Sequence, residues 1–297
     1  MTKVDAFGRI LTAMITPMKE NGEVDFDSAA KLACHLVETG SEGIVVSGTT
    51  GESPVLSSEE KCQLLKVVRE AVSGKASVIA GTGSNDTAAT IELTKEAEKV
   101  GCDGIMLVTP YYNKPSQEGL YQHFKAVASE TGLPIILYNV PGRTSTNMLP
   151  VTVARLAEIE NIVAVKEASG SLEQVVDIKR NTPSDFLIYS GDDLMTLPML
   201  SVGGYGVISV ASHVAGKMIQ EMITSFVTGK VKAARELHLK LFPLFKVLFI
   251  TTNPVPVKAA VELIGINAGA PRLPLIGASE EEIDAIKQEL DKLGLIP

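Results

Sequence analysis

Cysteine is scarce in this chain, with three residues among 297. Cys34, Cys62 and Cys102 lie far apart, in or at the end of helical patterns, and no Cys-x-x-Cys pair occurs. The spacing therefore indicates neither a disulfide framework nor a zinc site, and we expect buried thiols in a reducing cytosol.

Motifs for metal, nucleotide and serine chemistry are also missing. The four histidines show no His-x-His or His-Glu-x-x-His spacing, whereas a metal-dependent aldolase needs histidines clustered at strand ends. There is no Gly-x-Ser-x-Gly elbow and no phosphate-binding Gly-Lys-Ser/Thr loop, and Gly81-Thr82-Gly83 lacks the third glycine of a dinucleotide fingerprint. These absences leave catalysis by an amine, without a metal or another cofactor.

Positive charge and long apolar runs are limited as well. Lys and Arg number 27 against 35 Asp and Glu, a net charge of −8 with no basic stripe, which argues against nucleic acid. The most apolar later run, residues 241–250, contains Pro243 and Lys246 and is too short to span a bilayer. Residues 1–10 have no apolar signal-peptide core. We therefore expect a cytoplasmic protein with no membrane partner.

What the sequence does contain is a regular alternation of strand and helix patterns. The predicted strands are residues 9–16, 43–47, 77–80, 104–109, 134–138, 162–166, 186–190 and 206–210. The helical patterns between and after them cover residues 28–39, 87–100, 117–130, 150–159, 172–180, 194–202 and 213–228. A further helical segment, after the second strand, begins with a capping box at Ser57 and Glu60.

Eight such units, each of roughly 20 to 35 residues, predict an α/β protein whose parallel sheet closes into a (β/α)8 TIM barrel. An open doubly wound sheet is the alternative. We assign residues 1–228 to the barrel and residues 229–297 to an appended C-terminal helical region, with helices at 231–250, 256–264 and 279–293. In a barrel of this kind, function lies at the carboxyl ends of the strands.

Lys166 ends one of these strands, which otherwise consists of β-branched and small apolar residues. Because ammonium groups are strongly hydrated, a lysine leaving a buried strand has three interpretations. It can pair with Glu167, it can extend its head to solvent, or its amine can have a lowered pKa and form a Schiff base with a ketone. Strand alternation places Glu167 on the opposite face, which weakens the first interpretation.

Polar residues follow several other predicted strands. Residues 48–53 (GTTGES) combine two glycines, which free the backbone amides, with two threonine hydroxyls that suit a carboxylate or phosphate. Tyr111 and Tyr112 follow the fourth strand, and Tyr138 ends the fifth. A phenol beside a lysine amine can transfer protons, although each tyrosine taken singly fits a core position equally well.

Four segments together carry a resemblance: GTTGES at 48–53, VTPYYNKPSQEGLYQHF at 108–124, YNVPGRT at 138–144, and Lys166 in a VKEA context. The sequence resembles the dihydrodipicolinate synthase family, within the pyruvate-dependent class I aldolase and N-acetylneuraminate lyase superfamily, over nearly its whole length. The resemblance implies a lyase that condenses pyruvate with L-aspartate 4-semialdehyde to 4-hydroxy-tetrahydrodipicolinate, at the start of the diaminopimelate route to lysine. It implies no cofactor beyond a covalent imine, and a homotetramer built as a dimer of dimers.

The resemblance also implies roles for the reacting residues. Lys166 would form the imine with pyruvate. Thr49, Tyr112 and Tyr138 would form a proton relay, with Tyr112 reaching across a subunit interface into the neighbouring site.

Four further positions would bind substrate by the same resemblance. Thr50, together with Thr49, would hold the pyruvate carboxylate. Arg143 would bind the carboxylate of the second substrate at the mouth of the site, as its planar fork suits. Gly191 and Ile208 would contribute backbone carbonyls near the lysine.

One departure from the family concerns feedback inhibition. Members that are inhibited by lysine carry an acidic residue on the third helix and often histidine on the second, in a cleft at the dimer interface. The matching positions here are Ala89, Ser58 and Lys61, although Asn85 and Tyr111 match the cleft. We therefore expect weak or absent inhibition by L-lysine.

Two alternative functions remain open from the sequence. The first is another pyruvate-dependent class I aldolase, an N-acetylneuraminate lyase or a keto-deoxy-sugar acid aldolase. The second is a non-enzymatic barrel that binds a metabolite, which would not need an imine-forming lysine.

Overall fold

The computed structural model describes residues 7–296 and contains a closed barrel of eight parallel strands, each paired with its neighbours in chain order. The first and last strands pair to close the barrel. The strands are β1 Ile10–Ala13, β2 Gly43–Val46, β3 Ser77–Gly81, β4 Gly104–Val108, β5 Ile135–Asn139, β6 Ile162–Glu167, β7 Leu187–Ser190 and β8 Gly206–Ser209. The predicted (β/α)8 barrel is confirmed, and the open sheet is wrong.

Helices follow the strands and continue beyond the barrel. They are α1 Phe26–Glu38, α2 Ser58–Val72, α3 Thr87–Val100, α4 Gln117–Ala128, α5 Pro141–Thr144, α6 Pro150–Ala157, α7 Leu172–Asn181, α8 Thr196–Ser201, α9 Ser212–Val227, α10 Val231–Val247, α11 Val255–Leu263 and α12 Glu280–Lys292. The short helix α5 was not predicted, because Pro141 and Gly142 obscure any helical pattern. None of the helices within residues 7–296 is long and apolar enough to cross a membrane.

Local signals explain where several helices begin. At α2 the Ser57 amide donates to Glu60 Oε2 at 2.8 Å, and the Glu60 amide donates to Ser57 Oγ at 3.2 Å. This reciprocal pair satisfies two amides that a helix start leaves without partners, and it confirms the predicted capping box. Helix α1 begins two residues before its prediction, because Asp25 caps it by accepting from the Ser28 amide at 3.0 Å.

Two apolar cores result from the alternation along the strands. One lies between the barrel and its surrounding helices, and the other fills the inside of the barrel. Along β6, Val165 packs in the outer core and Ala164 in the inner one. The interior of the barrel is therefore a dry environment at the level where the catalytic end of β6 begins.

The C-terminal helices are joined to the barrel by buried polar contacts. Lys258 of α11 is 2% exposed, and its Nζ donates to Glu52 Oε1 at 2.7 Å and to the Thr16 carbonyl at 3.0 Å. Arg272, between α11 and α12, pairs with Glu60 and also donates its amide to Glu52 at 2.8 Å. The loop after β2 is thus held by residues more than 200 positions away. The division of the chain at residue 228 stays a prediction. The expected absence of a signal peptide also stays a prediction, because residues 1–6 lie outside the described residues.

We expect the removal of one partner from the buried pair of Glu52 and Lys258 to destabilise this connection strongly, even though the intact pair adds little net stability. Lys258→Met leaves Glu52 as an uncompensated buried charge, so the free energy of unfolding should fall by roughly 3–5 kcal/mol. Chemical denaturation measures this change. The double variant Glu52→Gln/Lys258→Met should regain most of the loss, because no buried charge remains.

An exposed lysine pair serves as the control for that experiment. Lys95 contacts Glu130 at 2.6 Å with both side chains nearly half exposed. Lys95→Met should therefore change the free energy of unfolding by less than about 1 kcal/mol. Equal losses for Lys258→Met and Lys95→Met would contradict the assignment.

Candidate active site

A cavity of about 220 Å³ opens at the carboxyl ends of β2 to β5. Its lining residues are Ser47, Gly48, Thr49, Ser53, Pro54, Gly81, Gly83, Met106, Val108, Tyr111, Tyr138, Val140, Arg143 and Thr144. Three of the predicted site residues, Thr49, Tyr138 and Arg143, are among them. The cavity therefore lies at the end of the barrel where the chemistry was predicted.

Lys166 lies directly behind this lining. Its side chain is 4% exposed, and its Nζ is 4.3 Å from the centre of the Tyr138 ring, which belongs to the cavity wall. The strand register explains this contact, because Tyr138 of β5 and Lys166 of β6 are partners across the sheet. Within residues 7–296 the amine has no ion pair and no hydrogen bond to a carboxylate.

The surroundings of Lys166 lower its pKa to about 8. Burial is the largest cause, since desolvation disfavours the charged amine, and the guanidinium of Arg143 acts in the same direction. The carboxylate of Asp193 opposes both. About a tenth of the amine is then neutral at pH 7, compared with far less than a hundredth for an ordinary lysine.

Glu167 points away from the amine, as strand alternation predicted. Its carboxylate is buried on the outer side of the barrel and accepts from the Ser169 amide at 2.6 Å. It also accepts from the side-chain amides of Asn139 and Gln174, each at 3.0 Å. Neutral donors therefore satisfy this carboxylate, and the interpretation of a Lys166–Glu167 ion pair is wrong.

Tyr138 and Thr49 both line the cavity, and the Thr49 hydroxyl influences the pKa of the Tyr138 phenol. Burial raises the pKa of the Tyr138 phenol, while Arg143 and the Thr49 hydroxyl act in the opposite direction. A phenol that is neutral at rest can donate a proton to a developing alkoxide, and the nearby positive charge stabilises it when the proton has left. Two members of the predicted relay are thus brought together beside the amine.

Tyr112 is not brought to this pair within one chain. Its side chain is 89% exposed, it does not line the cavity, and its φ of +74° is in the left-handed region that bulky residues seldom adopt. Tyr111, its neighbour, lines the cavity instead. The role of Tyr112 in a relay across subunits stays a prediction.

Gly191 lies close to the Lys166 side chain, whereas Ile208 belongs to the inner core of the barrel. A Cβ at Gly191 would stand 2.7 Å from the Ala168 Cβ and 3.2 Å from the Lys166 Cε, so a side chain there would displace the lysine. Ile208 of β8 is buried in the inner core of the barrel. The predicted use of their backbone carbonyls is not tested by these contacts.

Sequence reasoning missed the side chains that hold the site in place. Thr50 is buried, and its hydroxyl oxygen accepts from the Asn253 side chain at 2.9 Å. The Arg143 guanidinium donates to the Asn253 carbonyl at 3.3 Å. Asn253 precedes α11, far from either partner in sequence, and no local pattern marks it.

Asp193 follows β7, and no motif in the sequence marks its role. It is buried and accepts from the Ser209 hydroxyl at 2.5 Å and from the amides of Val210 and Ala211 at 3.0 and 2.9 Å. These bonds order the chain that leaves β8, and burial raises the pKa of the carboxyl. Asp193 therefore serves the structure and also influences the charge of Lys166.

Metal-binding geometry is not found in the described part of the chain, where no three His, Cys, Asp or Glu side chains converge.

His213 is a buried histidine with two hydrogen bonds to the backbone. Its Nε2 accepts from the Ile15 amide at 3.1 Å and its Nδ1 donates to the Val210 carbonyl at 2.8 Å, which fixes a neutral ring. Burial lowers its pKa to about 4.

Comparison with known proteins agrees with this geometry. Residues 6–293 match the model of the dihydrodipicolinate synthetase family. The 4-hydroxy-tetrahydrodipicolinate synthase of Moorella thermoacetica is 60% identical over 98% of this chain and 99% of the relative. That of Desulforamulus reducens is 59% identical over the whole of both chains.

Solved structures agree in fold as well. The crystal structure of DHDPS from Cyanidioschyzon merolae with lysine bound is 50% identical, with a TM-score of 0.96 over 98% of this chain and 99% of that one. The match of both sequence and backbone extends through the barrel and the C-terminal helices. The chain therefore belongs to the dihydrodipicolinate synthetase family.

Proposed function

We propose that the protein is a 4-hydroxy-tetrahydrodipicolinate synthase that works through an imine at Lys166. The observation that carries the proposal is a buried amine, with a pKa of about 8, that contacts Tyr138 at the cavity and has no carboxylate partner in residues 7–296. This is the state in which a lysine can act as a nucleophile near neutral pH. It agrees with the family to which the chain belongs.

The reaction proceeds through two covalent stages. The neutral amine attacks the ketone of pyruvate, water leaves, and the resulting iminium makes the methyl protons acidic. Loss of one proton gives an enamine, whose carbon attacks the aldehyde of L-aspartate 4-semialdehyde. The amino group of the second substrate then attacks the imine carbon, releases Lys166 and closes the ring of the product.

The remaining residues support these steps. Tyr138, which lines the cavity together with Thr49, moves protons when the imine forms and when the aldehyde oxygen becomes a hydroxyl. Thr49 and Thr50 hold the pyruvate carboxylate, and Arg143 holds the carboxylate of the second substrate. We assign the roles of Tyr138, Thr49 and Arg143 from their positions in the cavity lining and from their match to the family, and the role of Thr50 from its match to the family alone.

No separate cofactor is required by this scheme, because the iminium itself withdraws the electrons that a metal or another electron sink would otherwise take. Gly191 and Ile208 complete the surroundings of the imine, with backbone carbonyls directed toward the lysine.

We also propose that the protein self-associates as a dimer of dimers. The exposed ring of Tyr112 and its left-handed backbone fit insertion into a neighbouring site, where it would complete the relay. The cysteines Cys34, Cys62 and Cys102 are free, which agrees with a cytoplasmic location.

Trapping of the imine tests the proposed function directly. Reduction with borohydride in the presence of pyruvate should add one pyruvate-derived mass, and peptide mapping should place it on Lys166. Lys166→Met should show no adduct and should lose on the order of a thousandfold or more in kcat, as expected when a covalent nucleophile is removed. An unmodified Lys166 in the native enzyme would refute the proposal.

The pH dependence of imine formation provides a second test. Because the neutral amine reacts, kcat/KM for pyruvate should rise about tenfold per pH unit below the pKa and level off above about 8. Arg143 lowers the pKa of Lys166, so Arg143→Gln should move this inflection to higher pH. An unshifted or downward-shifted inflection would contradict the electrostatic assignment.

Feedback by L-lysine is the third test. Position 89 is exposed near the start of α3 and lacks a carboxylate, while Lys61 places a cation in the corresponding cleft. We therefore expect little inhibition at sub-millimolar L-lysine, since like charges repel in such a site.

A gain-of-function variant makes this test sharper. Ala89→Glu/Lys61→His introduces the missing charge and removes the cation, and it should lower the inhibitory concentration of L-lysine at least tenfold. Ala89→Gln/Lys61→His is the control without the carboxylate. Clear inhibition of the native enzyme at sub-millimolar lysine would show that the prediction is wrong.

A further inference from the structure

Asn253 contacts two of the substrate-binding residues at once. Its side-chain amide donates from Nδ2 to Thr50 Oγ1 at 2.9 Å, and its backbone carbonyl accepts from the Arg143 guanidinium at 3.3 Å. Asn253 and Thr50 are 5% and 3% exposed, so water does not compete freely for their hydrogen bonds. One residue of the C-terminal region therefore connects two groups from different barrel loops.

The direction of the bond to Thr50 determines what its hydroxyl can do. A threonine hydroxyl has one proton to donate and two lone pairs that accept. The Asn253 amide donates to one of the lone pairs of the Thr50 oxygen. Within residues 7–296 the Thr50 hydroxyl donates its own proton to no protein group. Its proton therefore remains available for an anionic ligand.

The position of Asn253 is itself fixed by buried contacts. It lies two residues before α11, whose Lys258 is bonded to Glu52 in the same loop that carries Thr50. The other end of its side-chain amide, Oδ1, is buried without a hydrogen-bond partner in the described part of the chain. Nδ2 is therefore the end of this side chain that makes a protein contact.

We propose that Asn253 is a positioning residue for the carboxylate of the keto-acid substrate. Its amide donates to the Thr50 oxygen, so the Thr50 proton is directed to that carboxylate, while its backbone carbonyl holds Arg143 for the second substrate. The inference rests on the proposed function, because it assumes that Thr50 binds the pyruvate carboxylate.

The isosteric variant Asn253→Asp tests the direction of the bond. An aspartate cannot donate to Thr50, accepts the Thr50 proton instead, and adds a negative charge beside the substrate carboxylate. We expect kcat/KM for pyruvate to fall by at least about tenfold, since charged hydrogen bonds are among the stronger ones. A side-chain change leaves the backbone carbonyl in place, so kcat/KM for the aldehyde should change much less.

A double-mutant cycle tests whether Asn253 acts through Thr50. Asn253→Ala should lower kcat/KM for pyruvate several-fold in the native background and should have little further effect in Thr50→Val. Additive losses would show that Asn253 does not act through that hydroxyl and would overturn the proposal. This arm remains informative if Asn253→Asp fails to fold.

Two controls separate the possible outcomes. Asn181→Asp makes the same chemical change at the exposed end of α7 and should leave kcat/KM for pyruvate unchanged. Borohydride trapping at saturating pyruvate should still modify Lys166 in Asn253→Asp. An adduct in the native enzyme, combined with unchanged pyruvate kinetics in Asn253→Asp, would overturn this inference and leave the proposed function standing, whereas no adduct in the native enzyme removes both.

Discussion

The burial of one amine inside a closed barrel is the constraint on which the site depends. Lys166, the last residue but one of β6, faces inward, and the pairing of β6 with β5 places its amine against the Tyr138 ring. The carboxylate of the next residue, Glu167, faces outward and is satisfied by neutral donors. The same alternation that builds the barrel therefore separates the amine from the nearest acid, which would otherwise hold it protonated.

The barrel alone does not complete the site. Lys258 and Asn253, both from the C-terminal region, hold the loop after β2 and the arginine after β5. A buried ion pair is an inefficient source of stability, but its geometry is demanding, because either charge is costly without the other. That requirement suits a loop whose two threonines must meet a small carboxylate at fixed distances. The C-terminal region thus fixes the positions of the loop after β2 and of Arg143.

The sequence was most informative where periodicity and motif coincide. Eight alternating units predicted the barrel, and the end of the β6 pattern identified Lys166 as the residue to explain. Contacts between distant segments were beyond such reasoning, since nothing near Asn253 reveals that it meets Thr50. Asp193 illustrates a second limit, because its acidity was visible but its three hydrogen bonds to the end of β8 were not. Tyr112 illustrates a third limit, because its side chain is exposed and does not line the cavity of its own chain.

Electrostatics explain how a chain with a net charge of −8 can handle anionic substrates. Lys166 is buried and Arg143 lies at the exposed rim of the cavity, so both positive groups act on a bound anion at short range. Arg143 has two consequences there, because it offers a carboxylate partner and also lowers the pKa of Lys166. Arg143 lowers the pKa of Lys166 most strongly while no carboxylate is bound to the guanidinium. Formation of the pyruvate imine is therefore favoured before the second carboxylate arrives, which is the order that the chemistry requires.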